Sequence, residues 1–162
     1  MMTSDRDFKR IVRARMIETG ENYTAARAAV LAAGPDAPAK ADLAAADAFV
    51  AKTIRNFFDG DRLRSMPVKR KARVVVLLRV MERFEPGRRY AEREVNDLLA
   101  PTYDDYAFLR RELVDYRYLA RANGEYWLVD EVPERNWLEA QEVPVDEAAR
   151  VRRAHAAGPE NV

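Results

Sequence analysis

The sequence predicts a mainly α-helical fold with a small β-hairpin. Three observations carry that expectation. Apolar residues recur at helical spacing through segments 5–19, 42–58, 67–84 and 104–116. Asn123-Gly124 stands between two short apolar runs, Leu119-Ala120-Arg121 and Tyr126-Trp127-Leu128-Val129, and Asn-Gly is the strongest local signal for a tight hairpin turn. The 162 residues are 48% hydrophobic and 34% charged, enough apolar material for a core and too much charge for a membrane protein. No run approaches the roughly 20 apolar residues that span a bilayer, and no apolar segment follows Met1-Met2-Thr3-Ser4-Asp5, so neither a membrane anchor nor a secretory signal is expected.

Taken in order, residues 5–19 read as an amphipathic helix. Phe8, Ile11, Val12, Arg15 and Met16 share one face, Asp5 and Asp7 suit the positive end of the helix dipole, and Gly20 stops it as a left-handed cap. Residues 22–33 are a second, Ala-rich helix with Asn22 or Thr24 as N-cap. The junction from Thr19 to Arg27 resembles the helix–Gly–helix junction of ribbon-helix-helix DNA-binding proteins, but the strand that precedes the first helix there has no room here. A docking or dimerising hairpin is the preferred reading of 1–33. Residues 34–41, with two Pro, one Gly and small side chains, read as a linker.

The main domain is expected over 42–130. Residues 42–58 form a helix with Phe49, Val50, Ile54, Phe57 and Phe58 apolar, ended by Asp59-Gly60-Asp61. A long helix runs from Pro67, which suits a first turn, to Phe84, with Val74, Leu77, Leu78 and Met81 inward. Glu85-Pro86-Gly87 breaks it, and Arg88-Arg89-Tyr90 can be one short strand. Residues 92–99 are a short helix with Val95, Leu98 and Leu99 inward; Asp104 caps another that reaches Tyr116, with Tyr106, Leu109, Leu113 and Tyr116 as its apolar stripe. The hairpin follows, closing over the helices with Tyr90, Leu119, Tyr126 and Leu128 facing in. Helix, strand, helix, helix, strand, turn, strand is the order of a winged helix-turn-helix. Residues 131–162 are an acidic extension: helices over 133–142 and 145–157 flank Val143-Pro144, Trp137 and Leu138 dock on the body, and 158–162 are disordered.

The segment from Phe58 to about Val129 resembles the DUF2087 family, a small winged-helix-like domain of bacterial uncharacterised proteins, some of them regarded as transcriptional regulators. The resemblance rests on Pro67-x-Lys69-Arg70-Lys71, on Phe84-Glu85-Pro86-Gly87-Arg88-Arg89-Tyr90, on Glu94-Val95-Asn96, on Asp105-Tyr106-x-x-Leu109-Arg110-Arg111-Glu112-Leu113-Val114-Asp115, and on Tyr126-Trp127. It implies a fold and no established activity.

Composition narrows the chemistry. There is no Cys and a single His, so thiol nucleophiles, thiolate metal sites and two-histidine metal sites are excluded. The adjacent Asp104 and Asp105 diverge by about 100° on a helix and make no acid–base pair. The six Gly are isolated, with no phosphate-cradling loop, and Ser4 and Ser65, the two serines, sit in no nucleophile elbow. His155 is expected to be exposed and inert. A cytoplasmic, non-enzymatic binding protein without cofactor or metal is the expectation.

Charge points to the partner. The net charge is +1, yet residues 62–93 hold 11 basic and 3 acidic side chains, while residues 130–162 hold 4 basic and 8 acidic. A positive patch of that density suits phosphates or an acidic partner, and an ordinary solvated helix face explains it about as well. On the first reading, Lys69, Arg70, Lys71, Arg88, Arg89 and Arg121 meet duplex DNA phosphates, and Arg111 on the outward face of 104–116 reads guanine edges. Asp104-Asp105 and Phe108 argue against simple groove insertion; the former is explained by capping, the latter by burial against the 42–58 helix or a second chain. An Arg111–Asp115 pair at i, i+4 also accounts for some charge. The alternative is a protein-interaction or homodimerisation module that uses Phe108 and the N-terminal hairpin. RNA binding ranks lower, because the aromatic residues lack an open stacking platform.

Overall fold

The structure, a computed structural model, describes residues 3–33, 39–131 and 133–156. Most of the expected linker, residues 34–38, and the end segment 158–162 lie outside the described residues. The chain divides into two compact units, Met1–Ala45 and Ala46–Val162.

The first unit is built on α1 (Thr3–Thr19) and α2 (Tyr23–Ala33). Gly20, at φ 73°, ends α1 and donates its N–H to the Met16 carbonyl at 3.0 Å, the left-handed stop the sequence predicts. Asn22 caps α2, its side-chain oxygen accepting the Ala25 N–H at 2.9 Å. The helices meet through Val12, Ala26 and Val30, with Phe8, Ile11 and Met16 packed beside them. Three buried residues are a small core, so the packing that holds this hairpin is correspondingly weak.

The second unit has one core, organised around α4 (Arg70–Met81). Val74, Leu77, Leu78 and Met81 are buried as their spacing predicts, but so are Val75, Val76 and Val80. A helix apolar all round is a central helix. It packs on both α6 (Tyr106–Asp115) and α7 (Glu147–Ala156). The acidic extension thus supplies Val151 and Ala154 to the same core as the helices before it. α3 (Lys40–Phe57) adds Ile54 and Phe57.

α4 is shorter than the 67–84 segment read from periodicity. Lys69 is extended at ψ 129°, so helical geometry cannot begin before Arg70; Pro67 lies outside it, and its carbonyl accepts the Arg73 side chain instead. At the far end Arg83 and Phe84 donate to Val80 and Met81 in tight i→i−3 turns.

Asp59-Gly60 does more than end a helix. It turns a hairpin of β1 (Phe58–Asp59) and β2 (Arg62–Leu63), with Gly60 at φ 60°. Phe58 and Leu63 are paired and buried, and Leu63 N–H is held by the Thr102 carbonyl at 2.8 Å.

β3 (Tyr90–Ala91), α5 (Glu92–Leu99), α6, β4 (Leu119–Ala122) and β5 (Glu125–Leu128) follow in the expected order. The sheet is antiparallel with strand order β3-β5-β4; Tyr90 pairs with Tyr126 and Leu119 with Leu128, all four buried. Asn123 at φ 52° and Gly124 at φ 78° make the predicted hairpin turn. α6 begins one residue later than expected: Asp105, not Asp104, is the N-cap and accepts the Phe108 N–H at 3.1 Å. It ends in a Schellman motif. Arg117 at φ 63° occupies the left-handed position, its N–H on Val114, and Tyr118 N–H reaches back to Leu113 at 2.9 Å.

The extension differs from its sequence reading in two places. Residues 133–142 make only one 3-10 turn, Glu139–Gln141. The Asn136 side chain takes the Leu138 and Glu139 N–H groups and starts a turn, but Val143-Pro144 stops it at once. Trp137 and Leu138 do not dock; they are 72% and 56% exposed. The anchor is polar instead. Glu147 and Arg135, with side chains 8% and 6% exposed, pair at 2.6 Å, and the buried Tyr118 hydroxyl donates to Glu147 at 2.7 Å. Burial, then the Glu147 carboxylate, push the Tyr118 phenol far above its ordinary pKa. His155, expected exposed, is half-buried, and its Nε2 has no hydrogen-bond partner among the described residues.

Candidate nucleic-acid interface

Lys69, Arg70 and Lys71 are exposed at the start of α4. No side chain caps that end and its first turn holds no acid, so helix dipole and cations add rather than cancel. The compensating carboxylates come from elsewhere in the chain. Glu142, beyond the 3-10 turn, pairs with Arg70 at 3.2 Å, and Glu112 of α6 pairs with Arg73 at 3.3 Å. Tyr116 lies in the same charged cluster, and burial raises its pKa. Nothing in the sequence signals Arg70–Glu142: the partners are 72 residues apart.

On α6 the outward face holds Ala107, Phe108, Arg111 and Asp115. Phe108 is half-buried. The Arg73 guanidinium lies over the ring, 5.4 Å from its centre. This contact and Arg73–Glu112 set the start of α4 beside α6. Arg111 and Asp115 are both exposed, and the expected pair between them is not formed. Arg110 instead reaches Asn96 and Glu92 of α5. Asp104, free of the capping role, pairs with Arg62 at 2.7 Å, while Asp105 stays at the start of α6 as its cap.

On the sheet, Arg121 and Asn123 are exposed at the hairpin. Arg88 stands between Glu85 at 3.6 Å and Glu94 at 3.4 Å, over the Tyr90 ring. Arg89 stacks on Trp127 at 3.9 Å and faces Glu125. The seven expected cations therefore fall into two groups. Arg70, Arg88 and Arg89 are engaged with carboxylates, whereas the side chains of Lys69, Lys71, Arg111 and Arg121 have no ion pair or hydrogen bond among the described residues.

Residues 62–128 match the family model described as an uncharacterised protein conserved in bacteria, DUF2087. The segment 62–128 belongs to the DUF2087 family. The match begins at β2 and ends at the last residue of β5, so the DUF2087 segment holds α4, α5, α6 and the three-stranded sheet, while α3 and α7 complete its core from outside. No curated protein and no solved structure matches the chain. Among the described residues no helix is long and apolar enough to cross a membrane.

Proposed function

We propose that the DUF2087 segment is a winged helix that binds duplex DNA, as a cytoplasmic transcriptional regulator or an accessory of one, and that it is not an enzyme. The order α4, β3, α5, α6, β4, β5 and the sheet order β3-β5-β4 support the winged-helix assignment. One observation carries the DNA reading: the side chains of Lys69, Lys71, Arg111 and Arg121 stay exposed and, among the described residues, unpaired, while Arg70, Arg88 and Arg89 lie beside carboxylates. Free cations release counterions from DNA at full effect, whereas paired ones must first give up a carboxylate. In this reading Lys69 and Lys71 meet phosphates at the positive end of α4, Arg111 enters a groove with α6, and Arg121 contacts the backbone from the hairpin. The test is a titration of random-sequence duplex at two salt concentrations. Micromolar binding that weakens steeply with salt, and that is lost in Lys69→Glu/Lys71→Glu, is the expected result; no binding at low salt excludes the reading.

A second reading is a homodimer or protein partner on the N-terminal hairpin, favoured by Ile17, Tyr23 and Leu31, which are exposed on α1 and α2. Sedimentation of the chain with and without Ile17→Ser/Leu31→Ser decides the homodimer: a dimer that dissociates in the variant supports it, and a monomer throughout rejects it.

A further inference from the structure

α3, α4 and α7 do not close completely over one another. They leave a cavity of about 170 Å³. Its floor is apolar: Val50 and Ile54 from α3, Val75 and Leu78 from α4. Its rim is ionic, with Arg79 from α4, Glu82 just past its end, and Arg150 and Arg153 from α7.

The rim cations are not equivalent. Arg79 is paired with Glu82 at 3.0 Å and Asp61 at 3.6 Å. Arg150, 11% exposed, is clamped by Asp47 at 2.6 Å and Asp146 at 2.8 Å. Arg153 is 65% exposed, and its one ion pair among the described residues is with Asp146 at 3.5 Å, a carboxylate already held by Arg150. A guanidinium with most of its donors unspent therefore stands at the edge of an apolar cavity. An apolar cavity of roughly 150 Å³ is large enough to take benzene, so this one fits a body of that size with an anionic end.

We propose that this cavity binds a small amphipathic carboxylate, of the size of benzoate or a short-chain fatty acid. The apolar body rests on Val50, Ile54, Val75 and Leu78, and the carboxylate takes the fork of Arg153, with Arg79 beside it. The flanking Glu82 and Asp146 suit a monoanion better than a phosphate dianion. The site lies on the second half of α4, apart from Lys69 and Lys71, and does not depend on the DNA reading.

The test is calorimetry and thermal unfolding of the full chain with benzoate and with hexanoate, against benzyl alcohol and sulfate. The expected result is saturable binding of at least one acid, a raised melting temperature, and roughly tenfold weaker binding of the alcohol, the ratio that one charge-assisted bidentate contact supplies. Sulfate leaves the melting temperature unchanged. Val50→Trp, a half-buried position with no polar partner, fills the cavity and abolishes binding. Arg153→Gln, on an exposed side chain, weakens the acid about tenfold with the fold intact, and carries the test alone should Val50→Trp not fold. No saturable binding of either acid up to about 10 mM, equal affinity for acid and alcohol, or affinity unchanged in both variants would overturn the proposal.

Discussion

Glu147→Ala should strongly destabilise the core of the second unit. Glu147 and Arg135 are both more than nine-tenths buried, at 2.6 Å, and the Arg135 guanidinium also donates to the Tyr116 carbonyl at 2.8 Å. Removing the carboxylate leaves an uncompensated buried charge, which costs about 3–5 kcal/mol. It also leaves the Tyr118 hydroxyl, buried on the same carboxylate, without its acceptor, a further cost of about 1–3 kcal/mol. The two overlap, because both groups relax into the same space, so the expected loss is about 4–5 kcal/mol. A domain stable by about 5–15 kcal/mol would be brought near its limit. Urea unfolding at pH 7, followed by circular dichroism, measures it. The companion variant is Arg135→Leu/Glu147→Leu, which removes both charges and should recover most of the loss. A loss below about 1 kcal/mol for Glu147→Ala, or a double variant as unstable as the single one, would refute the argument that α7 is anchored by this buried pair.

Three further outcomes follow from particular residues. Tyr118 keeps its proton in the folded state to a higher pH than in the unfolded chain, so its contribution to stability is full below pH 10 and falls as pH rises beyond it; Tyr118→Phe should flatten that alkaline decline in denaturant titrations, and an unchanged slope would contradict it. Arg117→Gly should stabilise the domain by about 1 kcal/mol, since it relieves a left-handed backbone position; a lowered urea midpoint would mean that its contact with Glu139 outweighs the strain. Glu142→Gln frees Arg70, so the slope of log affinity for duplex DNA against log salt should steepen by about 0.9; an unchanged slope would mean Arg70 stays clear of the phosphates.

What was legible in the chain depended on how locally each feature is encoded. α5 matches the 92–99 reading at both ends, and Asn123-Gly124 fixes the hairpin, because a short amphipathic period and a two-residue turn are complete within a few residues. Asp59-Gly60 carries the same kind of turn signal, but its strands are two residues long, too short for any alternation to appear. The packing of α7 was hidden for a different reason. Val151 and Ala154 sit among Arg150, Arg152 and Arg153, so the segment reads as a charged tail until Tyr118, Arg135 and Glu147 come together in space. The interface was legible as a list of basic residues and not as a division among them. Only the fold brings Glu142 to Arg70, Glu94 to Arg88 and Glu125 to Arg89, and so shows which cations remain for a ligand.

The salt dependence of duplex binding, measured one cation at a time, tests the proposed function most directly. Alanine at Lys69, Lys71 or Arg121 should each reduce the slope of log affinity against log salt by about 0.9, alanine at Arg111 should weaken binding with a smaller change in slope, and the change at Arg88 or Arg89 should be close to zero. Equal effects at paired and unpaired positions, or no binding by the unaltered chain at low salt, would contradict the account.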